Sequence, residues 1–213
     1  MTITKPTSTK TLYLHTIIFS LVLFGVFYGY TSWLKIPNVL NKVVADTAIV
    51  LMGLSMILSG ICYFWNRFDS SIRYRKYLGL VGWAFAIVHL LLSLPALQVL
   101  QMSSNWSTSR IWPPFTGLLA IIIFTIMALI SNTFSAQLLG GKVWRYTLRT
   151  GYVAVLLVFA HVALLKMARW TTWYEGGMQT PPSLSLLVSV FMIVVILMRV
   201  ALWVALARKK ASP

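Results

Sequence analysis

Acidic side chains are almost missing from this sequence: Asp46, Asp69 and Glu175 are the only three in 213 residues, against 18 Lys and Arg. Three scattered carboxylates cannot furnish the facing pair on which much acid–base hydrolysis depends. Cysteine is scarcer still. The lone Cys62 lies in an apolar run and excludes both an intramolecular disulfide and a cysteine-built metal cluster within one chain, so a metal would have to be held by histidine. Charged residues of both signs make up 10% of the chain, where a soluble domain has roughly 25%. No Gly-rich dinucleotide fingerprint follows a strand pattern, and no polar stretch is long enough to fold a flavin or NAD(P)H domain. A self-sufficient reductase is thereby excluded.

What the chain has in abundance is apolar surface: 59% of residues are hydrophobic and the mean hydropathy is +0.82. That is the composition of a bilayer protein. The net charge of +15 does not point to nucleic acid, because the cations punctuate apolar runs instead of gathering on a polar domain. A spanning helix needs about 20 largely apolar residues. Six segments qualify: 12–33, 43–65, 77–97, 116–132, 148–167 and 184–207. The reading is an all-α membrane protein, a six-transmembrane-helix bundle forming one domain over 1–213. The first apolar run is too long for a signal-peptide core and has no small-x-small site after it, so it is expected to be retained. Breaks fall at Pro37-Asn38, Asn66 to Lys76, a Ser/Thr/Asn-rich loop before Pro113-Pro114, Gly140-Gly141-Lys142, and Gly176-Gly177 with Pro181-Pro182. Trp33, Trp65, Trp112, Trp144, Trp170, Trp173 and Tyr174 collect at span ends, where amphipathic rings prefer the interface.

The cations set the orientation. The termini and the second and fourth loops share one side and carry Lys5, Lys10, Arg67, Arg73, Arg75, Lys76, Lys142, Arg145, Arg149, Arg208, Lys209 and Lys210; the other side has Lys35, Lys42, Arg110, Lys166 and Arg169. The positive-inside rule places both termini in the cytoplasm. Arg199 lies well inside a span; snorkelling to the cytoplasmic surface is its ordinary reading, and facing the bundle interior is the alternative.

Three histidines fall within spans. His15 is about one turn into the first and has a structural role as its ordinary reading. His89 lies about 18 Å into the third span and His161 about 20 Å into the fifth, at about 1.5 Å per residue, and both helices run outward from the cytoplasm. Two imidazoles at equal depth on co-directional helices could hold a haem iron between them; by spacing alone they could equally be hydrogen-bonded packing residues.

The flanking residues add to this. The third span is entered by Arg75-Lys76-Tyr77-Leu78-Gly79-Leu80 and continues Phe85-Ala86-Ile87-Val88-His89; the fifth is entered by Leu139-Gly140-Gly141-Lys142-Val143-Trp144 and continues Arg149-Thr150-Gly151-Tyr152 to Ala160-His161. This pattern resembles the ferric-reductase-like transmembrane family, most closely its bacterial branch, the haem-binding subunits of periplasmic methionine sulfoxide reductase. The specific motifs lie between about Arg73 and Lys166. The resemblance implies that His89 and His161 are the axial ligands of an outer haem b. It also implies a departure: the family's second histidine in the fifth span falls on Leu148, and the position fourteen residues before His89 is Arg75, so the inner haem is not expected.

A single haem with two protein ligands implies a cytochrome-b-like electron-transfer subunit of a bacterial inner membrane complex. It would take electrons from a quinol or a partner protein and pass them to another partner. The haem's apolar jacket is expected from Phe85, Val88, Leu92, Leu157, Val158 and Leu164. For a quinone, Arg73 to Lys76 and Arg145 with Tyr146 lie near the right surface, although positive-inside charges on anionic lipid explain them as well. The loop Trp170 to Pro182 is the largest surface for a partner, and an interfacial aromatic belt accounts for most of the same residues. The rival reading is a haem-free scaffold or accessory subunit of a larger membrane complex. A transporter is disfavoured, because no charge other than Arg199 is expected inside the bundle and no span is interrupted near its middle.

Overall fold

A computed structural model describes residues 8–102 and 108–211. Lys5 and residues 103–107 of the Ser/Thr/Asn-rich loop lie outside the described residues. The chain forms helices α1 (Thr9–Trp33), α2 (Val39–Phe64), α3 (Arg75–Met102), α4 (Thr108–Ile130), α5 (Thr133–Arg149), α6 (Gly151–Glu175) and α7 (Leu184–Ala211), with a 3₁₀ segment, Asn66–Tyr74, between α2 and α3. Six helical stretches among the described residues are long and apolar enough to cross a membrane. Their alternating directions put both described ends on one face, here the terminal face; the opposite one is the distal face.

In lipid there is little hydrophobic drive between helices, so close packing of small residues has to bring them together. The arrangement follows that rule. α2 packs on α3 and α7, α3 on α4, α4 on α6, and α6 on α7, which closes a five-helix ring. α2 is its hub: Val43 and Leu51 are fully buried, and half of its apolar stretch is inside the protein. A Cβ on Gly53 would lie 2.5 Å from the Phe191 ring of α7, and one on Gly60 would lie 2.5 Å from Cγ of Met198. These two glycines set how near α7 approaches. The ring is filled by Ala48, Met52, Met56, Phe124, Ala154, Val155, Met192 and Val195.

α1 packs on the outside of α2. It buries Leu12, Thr16, Ser20 and Thr31 and turns Leu14, Ile18, Leu21, Val22 and Val26 outward. Two of its inward hydroxyls are satisfied within the helix: Thr16 donates to the Leu12 carbonyl and Ser20 to that of Thr16.

α5 buries none of its residues and exposes Phe134, Leu138, Val143 and Tyr146. The Asn132 side chain caps its start by accepting from the Ser135 amide at 2.7 Å. Gly140, at φ 72° and ψ 146°, breaks it, a conformation open to a residue without a Cβ. Trp144 ties it to the bundle by donating to the Ile130 carbonyl. The next break falls at Thr150, so Leu148 belongs to the last turn of α5 and not to the head of the fifth span.

Candidate functional site

His89 stands about 21 Å along α3 from Arg75, at about 1.5 Å per residue. It continues the inward stripe of Leu78, Gly82 and Ala86. Its Nδ1 is 2.6 Å from Oδ1 of Asn41, in the first turn of α2, and 3.3 Å from that residue's carbonyl. A short network fixes the orientation of the Asn41 amide. Ser93 donates its hydroxyl hydrogen to the His89 carbonyl at 2.8 Å and so accepts from Asn41 Nδ2 at 3.1 Å, which leaves Oδ1 facing the ring. The ring must therefore donate from Nδ1.

His161 stands about 15 Å along α6 from Gly151. Its Nδ1 is 2.6 Å from the Pro113 carbonyl of α4. A carbonyl can only accept, so this ring too carries its hydrogen on Nδ1. Thr116 donates to the same oxygen at 2.9 Å. One turn beyond Pro113, Gly117 lets the imidazole lie against bare backbone: a Cβ there would come within 2.8 Å of Nδ1 and 3.0 Å of Cε1.

The two histidines thus share one state. Each spends its Nδ1 hydrogen on an oxygen of the neighbouring helix and keeps the Nε2 lone pair for something else. This is how ligand histidines are oriented at metal centres. The rings are half-buried and within electrostatic range of each other. α3 and α6 are not packing partners, since α4 lies between them in the ring. The donor set therefore fits an iron macrocycle. Asn41, Pro113 and Gly117 were not recognisable as partners in the sequence, because a polar residue, a proline and a glycine near span ends have ordinary explanations.

His15 is kept apart. Its Nδ1 is 2.9 Å from the Tyr74 hydroxyl at the terminal face, matching its structural reading. The jacket needs correction: Val88, Leu92 and Leu164 are 45%, 39% and 53% exposed on the outer surface of the bundle, whereas Phe85, Leu157 and Val158 are partly buried. Nearness along the helix was a poor guide: Val88 is turned about 100° from His89, and Leu92 and Leu164, one turn beyond each histidine, lie where the helix faces out of the bundle. A groove of about 460 Å³ runs between α1 and α3 past Tyr13, Ile17, Leu21, Val81 and Phe85. Its lining holds no histidine, cysteine or carboxylate.

Toward the terminal face the ring is filled by side chains. Met52 and Ser55 occupy the space over Gly82 and Gly79 of α3, and Met127, with Met56 behind it, lies over Gly151 of α6. Leu148 and Arg75 offer no ligand there, and the Arg75 carbonyl accepts from Ser55.

The expectation that no charge other than Arg199 lies inside the bundle is overturned. Asp46 is only 6% exposed. It escaped notice because it lies three residues into its apolar run, where interface would be expected, whereas α2 is central from its first turns. Lys42, one turn away, and Lys166 of α6 are within electrostatic range of it, and Arg169 is within range of both lysines. Arg199 itself is half-buried, its guanidinium 4.6 Å from the centre of the Tyr152 ring, so it points across to α6. In the distal loop, Trp173 donates to the Thr180 carbonyl and Tyr30 to that of Pro182. Their polar atoms hold the loop in place.

Residues 44–159 match the family described as ferric reductase like transmembrane component. The matched stretch contains His89 and ends two residues before His161. No curated protein matches the chain.

Proposed function

The chain belongs to the ferric-reductase-like transmembrane family, and from that membership we propose that this membrane electron-transfer component holds one haem b between His89 and His161. The observation that carries the reading is the matched anchoring of the two rings. Each Nδ1 is spent on a protein oxygen at 2.6 Å, and neither Nε2 makes a hydrogen bond among the described residues.

Bound haem supplies reversible one-electron chemistry at its iron. The protein's own groups do the rest. His89 and His161 would each give an Nε2 to the iron, and two protein ligands would leave no open position for a substrate, which favours electron transfer over oxygen chemistry. Asn41 and Pro113 fix the tautomer and raise the basicity of each ring. Phe85, Leu157 and Val158 keep water away from one side. Met52, Met56 and Met127 close the terminal half, so the chain carries no second centre there and does not wire one face to the other.

The excess of Lys and Arg on the terminal face supports a cytoplasmic location for that face, with the histidine pair toward the outer leaflet of a bacterial inner membrane. Electrons then enter and leave in the distal half. They come from a quinol or a partner protein and pass to a second partner, so the chain works as a subunit of an oxidoreductase.

Purified membranes carrying the protein should show a reducible b-type absorption spectrum, lost in both His89→Ala and His161→Ala. A colourless preparation at full expression, with haem supplied, would overturn the reading in favour of a haem-free scaffold.

A further inference from the structure

Asp46 and the cations around it are not used by the electron-carrier reading, yet ionisable groups inside a span are expensive to keep and ask for a reason. The Asp46 carboxyl is buried and accepts no hydrogen bond among the described residues. Lys42 of α2 and Lys166 of α6 are within electrostatic range of it, and Arg169 is within range of both lysines. Three cations against one carboxylate leave two positive charges in surplus. Lys42 directs one donor to the Pro37 carbonyl and has two more; half-buried Lys166 makes no hydrogen bond among the described residues.

A second observation points the same way. Trp170 lies one turn beyond Lys166 on α6, and its indole Nε1 is buried without an acceptor among the described residues. An N–H left unpaired in such a place costs several kcal/mol, so an acceptor from outside the chain is called for. The cluster also adjoins the histidines: Lys42 follows Asn41, the partner of His89, and Lys166 is within electrostatic range of His161.

Resting on the haem reading above, we propose that Lys42, Lys166 and Arg169, with the Trp170 N–H, form an anion site that receives the two carboxylate arms of the porphyrin. Two surplus positive charges match two carboxylates. The role of Asp46 is to hold the lysines together and to limit that surplus, so it weakens the anion's attraction.

The signs of the effects separate this from a purely structural ion cluster. The test is titration of the haem-depleted full chain, in detergent, with haem and with its dimethyl ester, which has the same ring but no charge on its arms. Wild type should bind haem at least about tenfold more tightly than the ester, the effect of one charge-assisted hydrogen bond. Lys42→Met with Lys166→Met should erase that preference, Lys166→Arg should keep it, and Asp46→Asn should strengthen haem binding while leaving the ester unchanged. Equal affinity of wild type for the two porphyrins would overturn the proposal and leave the haem reading standing. So would equal weakening of both by Asp46→Asn and the lysine variants, the mark of a strut. Binding of neither porphyrin by wild type would overturn the haem reading itself.

Discussion

Asn41 and His89 are joined across α2 and α3 by a 2.6 Å contact between Oδ1 and Nδ1, and that contact decides which imidazole nitrogen faces the ring interior. Ser93 locks the amide in place from the other side. Asn41→Ala should keep a b-type spectrum but weaken haem binding by about 10–100-fold, the usual effect of losing such a support. Titration of the variant beside wild type checks this; unchanged affinity would show that Asn41 only packs.

Gly117 makes the corresponding test on the other ligand. An added Cβ at 2.8 Å from His161 Nδ1 has to push the ring off the Pro113 carbonyl, so Gly117→Ala should lose most haem while the chain stays folded. Gly25 on α1 has nothing within 4 Å of its would-be Cβ. Gly25→Ala should leave the spectrum unchanged and raise helix stability by up to about 1 kcal/mol.

Leu148→His restores the residue type that the family resemblance places there. It should not add a second haem. The position lies in α5 before the break at Thr150, and Met127 and Met56 fill the space over Gly151. A doubled haem content in this variant would show that the terminal half is open.

Helix contact around the hub is tested at Gly53. Its Cβ would meet the Phe191 ring at 2.5 Å, so Gly53→Ala should destabilise the bundle by about 1–3 kcal/mol, as overpacking does. Thermal denaturation in detergent reads this, with Gly29→Ala, which has nothing within 4 Å, as the neutral control.

Hydropathy and turn residues made the six crossings legible, because the cost of unpaired backbone in lipid leaves a spanning segment little choice but helix. The histidine pair was legible as two positions at matching depth. Its partners were not. Asn41, Pro113 and Gly117 act through contacts between helices, and a single sequence holds no record of which helix lies beside which. Asp46 shows the same limit from another direction: its burial follows from α2 being the hub, a property of packing and not of its own neighbours in the chain. Gly140 was legible as a break, but the helix on either side of it was read as loop, because α5 is polar by composition and its apolar residues face outward.

The most direct test counts haem against protein in the purified full chain and in His161→Ala. The account predicts one haem b per wild-type chain, with the low-spin signature of two imidazole ligands, and none in the variant. Two haems per chain, or a wild-type spectrum that survives the loss of His161, would contradict it.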